Sequence, residues 1–255
     1  MIQLPSRRAI HMWQRNRDVF VRLWWSLAPA FMIEPVLLLL AIGLGFGAYI
    51  GVIQGEEYIN YIVPGILASH AMTTATFEAT YGAYFRMEYR RTYDAILATP
   101  LNIEDIVTGE ILWGATRSVI TATIIMIVAL LFGLLNSWWA ILIPVVAGLV
   151  GFLFSCLAII FVSVASSVYS FNYYFTLFIA PMTFFSGAFF PLDNLPAAVG
   201  RISPFLPLTH SVRLMRALVT GEFGVSTFAS FAIVVAAIIV LFLMAAAVMR
   251  RRVLE

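Results

Sequence analysis

Residues 138–167 read WWAILIPVVAGLVGFLFSCLAIIFVSVASS, a stretch in which no side chain carries a charge. The hydrocarbon core of a bilayer is about 30 Å thick, and a helix needs roughly 20 apolar residues to cross it. The stretch therefore predicts a membrane-spanning helix, and five more stretches of this kind occur in the chain. The six predicted spans cover residues 28–54, 58–83, 118–135, 138–167, 171–190 and 225–249.

The composition agrees with this interpretation, since 62% of the 255 residues are hydrophobic and 11% are charged. Backbone polar groups that face lipid must be satisfied within their own segment, which favours helices. The short alternating segments of a membrane β-barrel are absent. We predict an all-α integral membrane protein with six transmembrane helices, forming a single domain over residues 1–255 with little chain left for a soluble domain.

The placement of the basic residues predicts the orientation of the chain. All fifteen of them are arginines. Arginines are enriched in the cytoplasmic loops of membrane proteins, so we expect both termini in the cytoplasm and a multi-pass protein of a bacterial inner membrane. Eleven arginines fall on the predicted cytoplasmic side, at positions 7, 8, 15, 17, 22, 86, 90, 91, 250, 251 and 252, and three (201, 213 and 216) on the other side.

Some residue types exclude whole classes of site. The chain has no lysine, so it cannot contain the lysine-bearing phosphate loop of many nucleotide-binding proteins. If ATP drives this protein, another subunit must bind the ATP. Cys156 is the only cysteine, which excludes an intrachain disulfide and a cysteine-based zinc site. His11, His70 and His210 are scattered, and we expect no metal site.

The N-terminal segment, the loop at residues 85–105 and the region before the last span predict helices outside the spans. Residues 1–26 predict an amphipathic interfacial helix, because Ile10, Trp13, Phe20 and Trp24 recur at helical spacing among arginines. The loop at residues 85–105 is expected to face the cytoplasm.

Within the loop at residues 85–105, residues 88–97 predict a short amphipathic helix that ends before Pro100. Asn102 is a suitable N-cap for the next helix. Residues 191–219 contain four prolines and predict short interfacial or re-entrant helices on the outer side.

Four charged residues lie near the cytoplasmic ends of the first three spans, namely Glu34, Glu78, Glu110 and Arg117. A charge at the centre of a bilayer costs about 2.5–3.5 kcal/mol, so such residues are candidates for a function. Glu110 and Arg117 are seven residues apart and share a helix face. Our hypothesis is that Arg117 pairs with Glu78 or Glu110. The group is either a structural lock or a part of the transport path.

Aromatic residues crowd the end of the fifth predicted span. Phe184, Phe185 and Phe189 either pack against lipid and neighbouring helices or line a path for an amphiphile. Ser186 and His210 together suggest an intramembrane hydrolase. That motif needs a glycine two residues before the serine, where this chain has Phe184, so an enzyme is disfavoured.

Several segments together resemble the ABC-2 type transporter permeases. The stretch at 184–196, FFSGAFFPLDNLP, followed by PLTHSV at 207–212 and Arg216, is similar to the C-terminal pattern of that family. The middle of the chain also resembles it, in FEATY at 77–81, RTYDAILATP at 91–100 and GEILW at 109–113. The resemblance covers nearly the whole chain and is greatest to the nodulation-type branch, whose permeases help to export lipo-chitooligosaccharides.

The resemblance implies a six-helix permease that works as a dimer with two copies of an ATP-binding cassette subunit. ATP and Mg would bind to that partner, and the permease itself would not be an enzyme. Membrane lipid and an amphiphilic substrate would be its other partners, and nucleic acid would not. The substrate would pass between the two permease copies, past spans one, two and five.

The resemblance also assigns roles to the helices outside the spans. Residues 1–26 match the interfacial helix, 88–97 match the coupling helix that docks on the cassette, and 191–219 match the outer re-entrant helices. We expect the contact with the cassette to be made by Tyr93, Asp94, Ile96 and Leu97. The function expected is export of a lipo-oligosaccharide, a lipid-linked glycan or a hydrophobic drug. The alternative is a membrane scaffold or assembly factor that transports nothing.

Overall fold

The computed structural model describes residues 6–53, 55–194 and 196–254, and it describes no side chain for residues 27–32, 44, 46, 48, 194 and 254. The described chain is mainly helical. Its α-helices are α1 Ala9–Arg22, α2 Trp24–Leu40, α3 Gly47–Ile50, α4 Tyr58–Phe77, α5 Thr92–Leu97, α6 Ile103–Leu131, α7 Ile143–Val164, α8 Ser170–Tyr174, α9 Ala180–Phe185, α10 Ala197–Ile202, α11 Pro207–Thr220 and α12 Val225–Leu254.

Shorter elements complete the described fold. Four segments are π-helical, namely Ala41–Phe46, Glu78–Gly82, Phe85–Tyr89 and Phe175–Ile179, and three are 3₁₀-helical, namely Trp138–Leu142, Leu192–Asn194 and Ser203–Phe205. Strands β1 Val52–Ile53 and β2 Glu56–Glu57 form a two-residue antiparallel ribbon between α3 and α4, in which Val52 lies opposite Glu57. This ribbon is the only strand pair in the described residues.

Three helices confirm predicted spans by their length and apolar composition. They are Ile103–Leu131, Trp138–Val164 and Val225–Val253, which contain most of predicted spans three, four and six. Spans one, two and five stay predictions as membrane crossings, although each is helical. Span one is α2 continued by a π-helical segment into α3, and span five is helical only over residues 170–185. Gln54, at the end of predicted span one, lies outside the described residues.

The core forms where α4, α6 and α7 cross, and small residues bring these helices together. A side chain at Gly151 would collide with Ser118, where a Cβ atom would lie 2.6 Å from the Ser118 Cβ. The Ser118 hydroxyl donates a hydrogen bond of 2.6 Å to the Ala71 carbonyl in α4. In lipid, small residues and hydrogen bonds between helices supply much of the association energy. The position of α4 is therefore fixed against α6.

The N-terminal helix packs on α6 through a face that coincides only in part with the predicted apolar stripe, because Phe20 is buried and Trp13 and Trp24 are half-buried, but Ile10 is not. The buried side chains are those of Ala9, Met12, Asn16 and Phe20. Ile10, which was predicted in the apolar stripe, is 50% exposed. The register differs because Met12 sits over Gly109, where a Cβ atom would lie 2.5 Å from that of Met12. Residues 1–5 of the predicted helix lie outside the described part of the chain.

The loop between α4 and α6 contains a shorter helix than predicted. Arg91 has a left-handed backbone with φ of 49°, which no α-helix can contain, so α5 begins only at Thr92. The predicted helix at 88–97 therefore holds only for its second half. The predicted cap of α6 is confirmed, because Asn102 and Asp105 form a reciprocal capping box.

The region at 191–219 contains the expected short helices, with Leu195 outside the described residues. Its longest helix, α11, ends at Gly221, whose φ of 82° favours glycine.

The last turns of α12 return to the start of α6 and to the loop that precedes α5. Arg250 lies 3.3 Å from Glu104, and Arg252 lies 3.0 Å from Glu88. Together with α1 and α5, these contacts define one end of the molecule, which we call the arginine-rich end.

Candidate functional site

The arginine-rich end is organised around a buried ion pair between Arg86 and Glu110. The Nε atom of Arg86 donates to Oε1 of Glu110 at 2.8 Å, and Nη2 donates to Oε2 at 2.5 Å. Glu110 is buried on α6, and Arg86 belongs to the π-helical segment before α5. A two-pronged arginine–carboxylate contact is among the strongest and most directional that proteins form. This contact fixes the segment before α5, and α5 with it, against α6.

Glu78 extends this pair to the end of α4. Its Oε1 atom accepts a hydrogen bond of 3.0 Å from Nη1 of Arg86, and its Oε2 atom lies 3.8 Å from Nη1 of Arg117. Of the two partners proposed for Arg117, the ion pair in the structure is with Glu78, while Glu110 is held by Arg86. Glu34 is not part of the group, because it is exposed on α2 and has no hydrogen bond or ion pair to any described residue.

Two uncharged donors complete the shell around Glu110. The Tyr93 hydroxyl of α5 donates to Oε1 at 3.1 Å, and the Asn16 amide of α1 donates to Oε2 at 3.3 Å. Burial, and next the charge of Glu110, raise the pKa of Tyr93 well above its ordinary value, so the hydroxyl stays protonated. One carboxylate thus joins α1, the loop segment and α5 to α6. We call Asn16, Glu78, Arg86, Tyr93 and Glu110 the charge lock.

Arg86 stays protonated in the charge lock. Burial alone would lower its pKa, but the carboxylates of Glu110 and Glu78 outweigh burial and raise the pKa above its ordinary value.

The aromatic residues of α1 close the charge lock on one side. The Arg117 guanidinium carbon lies 4.6 Å from the centroid of the Phe20 ring, which is a cation–π distance. The Phe20 ring also meets Trp113 edge-on at 5.4 Å. The Trp13 indole nitrogen donates to the Thr116 hydroxyl at 2.9 Å. These contacts hold α1 along α6 over several turns.

The four predicted coupling residues do not all face the surface. Tyr93 is 2% exposed and points at Glu110. Asp94 is exposed and lies 3.5 Å from Arg91, while Ile96 and Leu97 are half-buried on the hydrophobic cluster below. The helix therefore presents Asp94 and the edges of Ile96 and Leu97 outwards and uses Tyr93 to hold itself in place.

The predicted aromatic group lies at the opposite end of the molecule, with Phe184 and Phe185 at the end of α9 and Phe189 in the turn that follows. Phe184 and Phe185 are largely exposed, and the rings of Phe184 and Phe189 are 6.1 Å apart. The turn is fastened to α4 and α11, since the Tyr61 hydroxyl and Arg216 Nη2 both donate to the Gly187 carbonyl, at 3.1 and 3.2 Å. The turn that contains Phe189 and directly follows Phe184 and Phe185 is thus fixed to α4 and α11.

Ser186 and His210 do not form a nucleophile and base. The Ser186 hydroxyl donates to the Thr183 carbonyl at 3.3 Å. His210 is buried, with Nδ1 3.1 Å from the Ser230 hydroxyl and Nε2 2.9 Å from the Pro204 carbonyl. Because a carbonyl only accepts, Nε2 is protonated. In the residues that the structure describes, no three His, Cys, Asp or Glu side chains converge as metal ligands would.

Sequence reasoning missed Arg86, the central cation of the charge lock, although the sequence carries a trace of it. Glu78, Gly82 and Arg86 are spaced four residues apart, which places them on one face of a helix. A Cβ atom at Gly82 would lie 2.5 Å from the Glu78 carboxylate and 3.0 Å from Arg86, so glycine leaves room for the ion pair. Asn16 had no such signal, because its partner is in another helix.

Comparison with known proteins agrees with this architecture. Residues 8–220 match the family model described as ABC-2 type transporter. Nodulation protein J of Rhizobium leguminosarum bv. viciae is 39% identical over 213 residues, which are 83% of this chain and 82% of that protein.

Two further relatives extend the comparison. Nodulation protein J of Sinorhizobium fredii is 38% identical over 209 residues, covering 81% of this chain and 79% of the relative. The inner membrane transport permease YadH of Escherichia coli K12 is 23% identical over 226 residues, which are 88% of this chain and 87% of that protein. The chain therefore belongs to the ABC-2 type transporter family.

Proposed function

We propose that this chain is the translocating subunit of an ATP-driven exporter, which moves an amphiphilic substrate out of the cytoplasm or the inner leaflet. Members of the ABC-2 family are transmembrane transport subunits and not enzymes, and they work with a separate ATP-binding subunit. The energy source, the direction and the substrate are the parts that we propose. The observation that most supports coupling of this chain to an ATP-binding partner is the hydrogen bond from Tyr93 of α5 to the buried Glu110 of α6.

A transporter of this kind needs a rigid connection between the ATP-binding partner and its own helices. ATP binding can shift the permease between two states only through a contact whose strength differs between them. Helix α5 has an exposed side for such a contact and a buried side held by Tyr93 and, through Arg86, by Glu78. A displacement of α5 would therefore move the end of α4 and the start of α6 together.

The orientation and assembly follow from the same proposal. The arginine-rich end would face the cytoplasm, as the excess of arginines favours. Two copies of the permease would pair, each with one cassette subunit docked on Asp94, Ile96 and Leu97. ATP and Mg would bind to the cassette subunits alone.

The proposed substrate is a lipo-oligosaccharide, a lipid-linked glycan or a hydrophobic drug. The exposed rings of Phe184 and Phe185, with Phe189 beside them, offer an apolar surface that would suit the lipid part of such a molecule. The turn that follows Phe185 and contains Phe189 is hydrogen-bonded to α4, so a shift of α4 would change the position of these rings.

The test is a double substitution on the exposed side of α5. We expect Asp94→Ala with Leu97→Ala to abolish substrate-stimulated transport by the reconstituted permease–cassette complex, while ATP still binds to the cassette. The matched control is Asp18→Ala with Val21→Ala. Asp18 is also an exposed carboxylate paired with an arginine, 2.7 Å from Arg17, and Val21 is exposed three residues later.

Three measurements separate the outcomes, namely copurification of the cassette, ATP hydrolysis and movement of a fluorescent lipid analogue across vesicles. Normal transport by the α5 variant would refute the docking site. A transport defect in the control variant alone would show that the docking site lies on α1 and not on α5. Copurification of wild-type permease and cassette with no lipid moved under any condition would favour the scaffold alternative.

A further inference from the structure

A basic cavity of about 310 Å³ lies beside the charge lock at the arginine-rich end. It is bounded by α1, by the helical turns that follow α4 and by the middle of α6. Its polar lining comes mainly from Arg15, Arg86, Arg90 and Arg117, with Glu78 as the acidic member. The family comparison assigns no ligand to this cavity.

The charges of this cavity do not balance. Four guanidinium groups face two carboxylates, Glu78 in the wall and Glu110 directly behind Arg86. The Arg15 guanidinium donates to the neutral amide oxygen of Asn16 at 3.2 Å. The guanidinium of Arg90 is exposed and has no hydrogen bond or ion pair to any described residue. The cavity therefore has an excess of two positive charges, which suits one anionic group.

Arg15 lies in an environment that disfavours its positive charge. Burial, and next the positive charge of Arg86, lower the pKa of Arg15 below its ordinary value. An anion in the cavity would relieve this repulsion and would accept hydrogen bonds from donors that have no carboxylate of their own.

Apart from Asn16, the remaining side chains of the lining are apolar, and they point to a lipid as the source of the anion. Phe20 and Trp113 form the floor, while Val19, Leu23 and Phe85 stand partly exposed at the rim. A free phosphate ion would make no favourable contact with an apolar rim. The glycerol backbone and first methylene groups of a phospholipid would cover it. Interfacial helices such as α1 lie at the depth where headgroups meet acyl chains.

We propose that this cavity binds the phosphate headgroup of an anionic phospholipid from the adjacent leaflet. Arginine forks match phosphate oxygens in pairs, and basic pockets between membrane helices on the cytoplasmic side are established sites for such headgroups. The bound phosphate would bridge Arg15 of α1 and Arg90 of the loop before α5, which the charge lock leaves unjoined. The lipid would thus add a second tie between α1 and α5.

The test measures lipid retained by the purified full-length chain, and its result is independent of transport. The protein is titrated with a mixture of phosphatidylglycerol and phosphatidylcholine of matched acyl chains, and bound lipids are counted by native mass spectrometry. We expect the wild-type protein to retain one molecule of phosphatidylglycerol in preference to phosphatidylcholine. We expect Arg15→Gln with Arg90→Gln to retain it at least about tenfold more weakly, since each arginine near an anionic headgroup contributes separately.

The control variant is Arg22→Gln with Arg251→Gln, which removes two exposed arginines from the same end of the molecule but outside the cavity. It should retain the lipid like wild type, and all three proteins should melt at the same temperature. Three results would each overturn the proposal: equal loss in both variants, equal retention of phosphatidylcholine, or complete displacement of phosphatidylglycerol by inorganic phosphate.

Discussion

Glu110 shows how much one residue can organise in this protein. It accepts hydrogen bonds from side chains of α1, the loop segment and α5. Buried ion pairs contribute little net stability, because the cost of removing two charges from water offsets their attraction. Their value is geometric, since an unpaired buried charge is costly in any other arrangement. The charge lock therefore restricts the relative positions of these elements, which suits a device that transmits movement.

The first prediction concerns Arg86. We expect Arg86→Gln to destabilise the purified permease by about 3–5 kcal/mol, because Glu110 then stays buried without its cation. Tyr93→Phe should cost much less, about 1–3 kcal/mol, since it removes one hydrogen bond from a carboxylate that keeps its arginine. Thermal unfolding of the detergent-solubilised protein measures both.

The double variant Arg86→Gln with Glu110→Gln is the control for this prediction. It removes both charges, so it should be more stable than Arg86→Gln alone although it carries more changes. The single variant Glu110→Gln completes the cycle. Strictly additive losses in Arg86→Gln, Glu110→Gln and the double variant would show that the ion pair does not act as a unit, and would contradict the role given to Glu110.

At the scale of elements, the docking of α1 on α6 depends on one glycine. Gly109→Val should displace α1, because its Cβ atom would lie 2.5 Å from the Met12 Cβ and 3.1 Å from the Ala9 carbonyl oxygen. Trypsin cuts only after arginine in this lysine-free chain, and α1 contains Arg15, which is partly buried. We expect cleavage at this residue to become several-fold faster.

Gly200→Val is the matched control, because Gly200 is also helical and a Cβ atom there meets no atom within 4 Å. It should leave the rate of cleavage in α1 unchanged. If Gly109→Val and Gly200→Val were cleaved at the same rate as wild type, α1 would not depend on this close approach.

Elements governed by local chemistry were predictable from the sequence, and those governed by partners were not. The cap at Asn102 was predicted because both members of its box lie within one turn. Helix α5 was predicted too long, since nothing in the sequence announced the left-handed backbone at Arg91. The buried face of α1 was predicted in part, through Phe20. An apolar pattern also favours Ile10, whereas the protein exposes Ile10 and buries Asn16 against Glu110.

In the charge lock, too, the sequence predicted local features but not all contacts between distant residues. Glu78, Glu110 and Arg117 were recognised as a group because each is a charge close to a predicted span, but the same criterion included Glu34, which the structure leaves exposed and outside the group. The pairing of Arg117 with Glu78 was one of the two hypotheses, and the structure contains it. The pairing of Arg86 with Glu110 was missed, since these residues are 24 positions apart on different elements. A spacing of seven residues on one helix drew attention to Arg117 and Glu110, although the structure pairs each with another residue.

At the scale of the whole molecule, α4 connects two fixed points. At one end it leads into Glu78 and the charge lock, and near the other it carries Tyr61, which holds the Gly187 turn. The helix has 20 residues and is therefore about 30 Å long. Its Gly65 packs directly on the Ala188 carbonyl. A rigid helix fastened at both ends gives the arginine-rich end a direct mechanical route to the aromatic turn.

The last prediction concerns the orientation of the whole chain in the membrane. Helix α12 has 30 residues and spans about 45 Å, so Glu222 before it and Arg251 near its end must lie on opposite sides of a bilayer. Exposed residues on the two sides, Ala98 after α5 and Glu222, are each replaced by cysteine in a Cys156→Ala background. A membrane-impermeant maleimide should label Glu222→Cys in intact cells and leave Ala98→Cys unlabelled until the cells are opened.

Arg251→Cys serves as the control, because it shares the arginine-rich end with Ala98 and must follow the same pattern. The excess of arginines at that end is the physical reason, since positively charged segments resist transfer across the inner membrane. Labelling of Ala98→Cys and Arg251→Cys from outside intact cells would show that the chain has the opposite orientation. An inverted α5 could not meet an ATP-binding subunit in the cytoplasm, so that result would remove the proposed site of coupling along with the orientation.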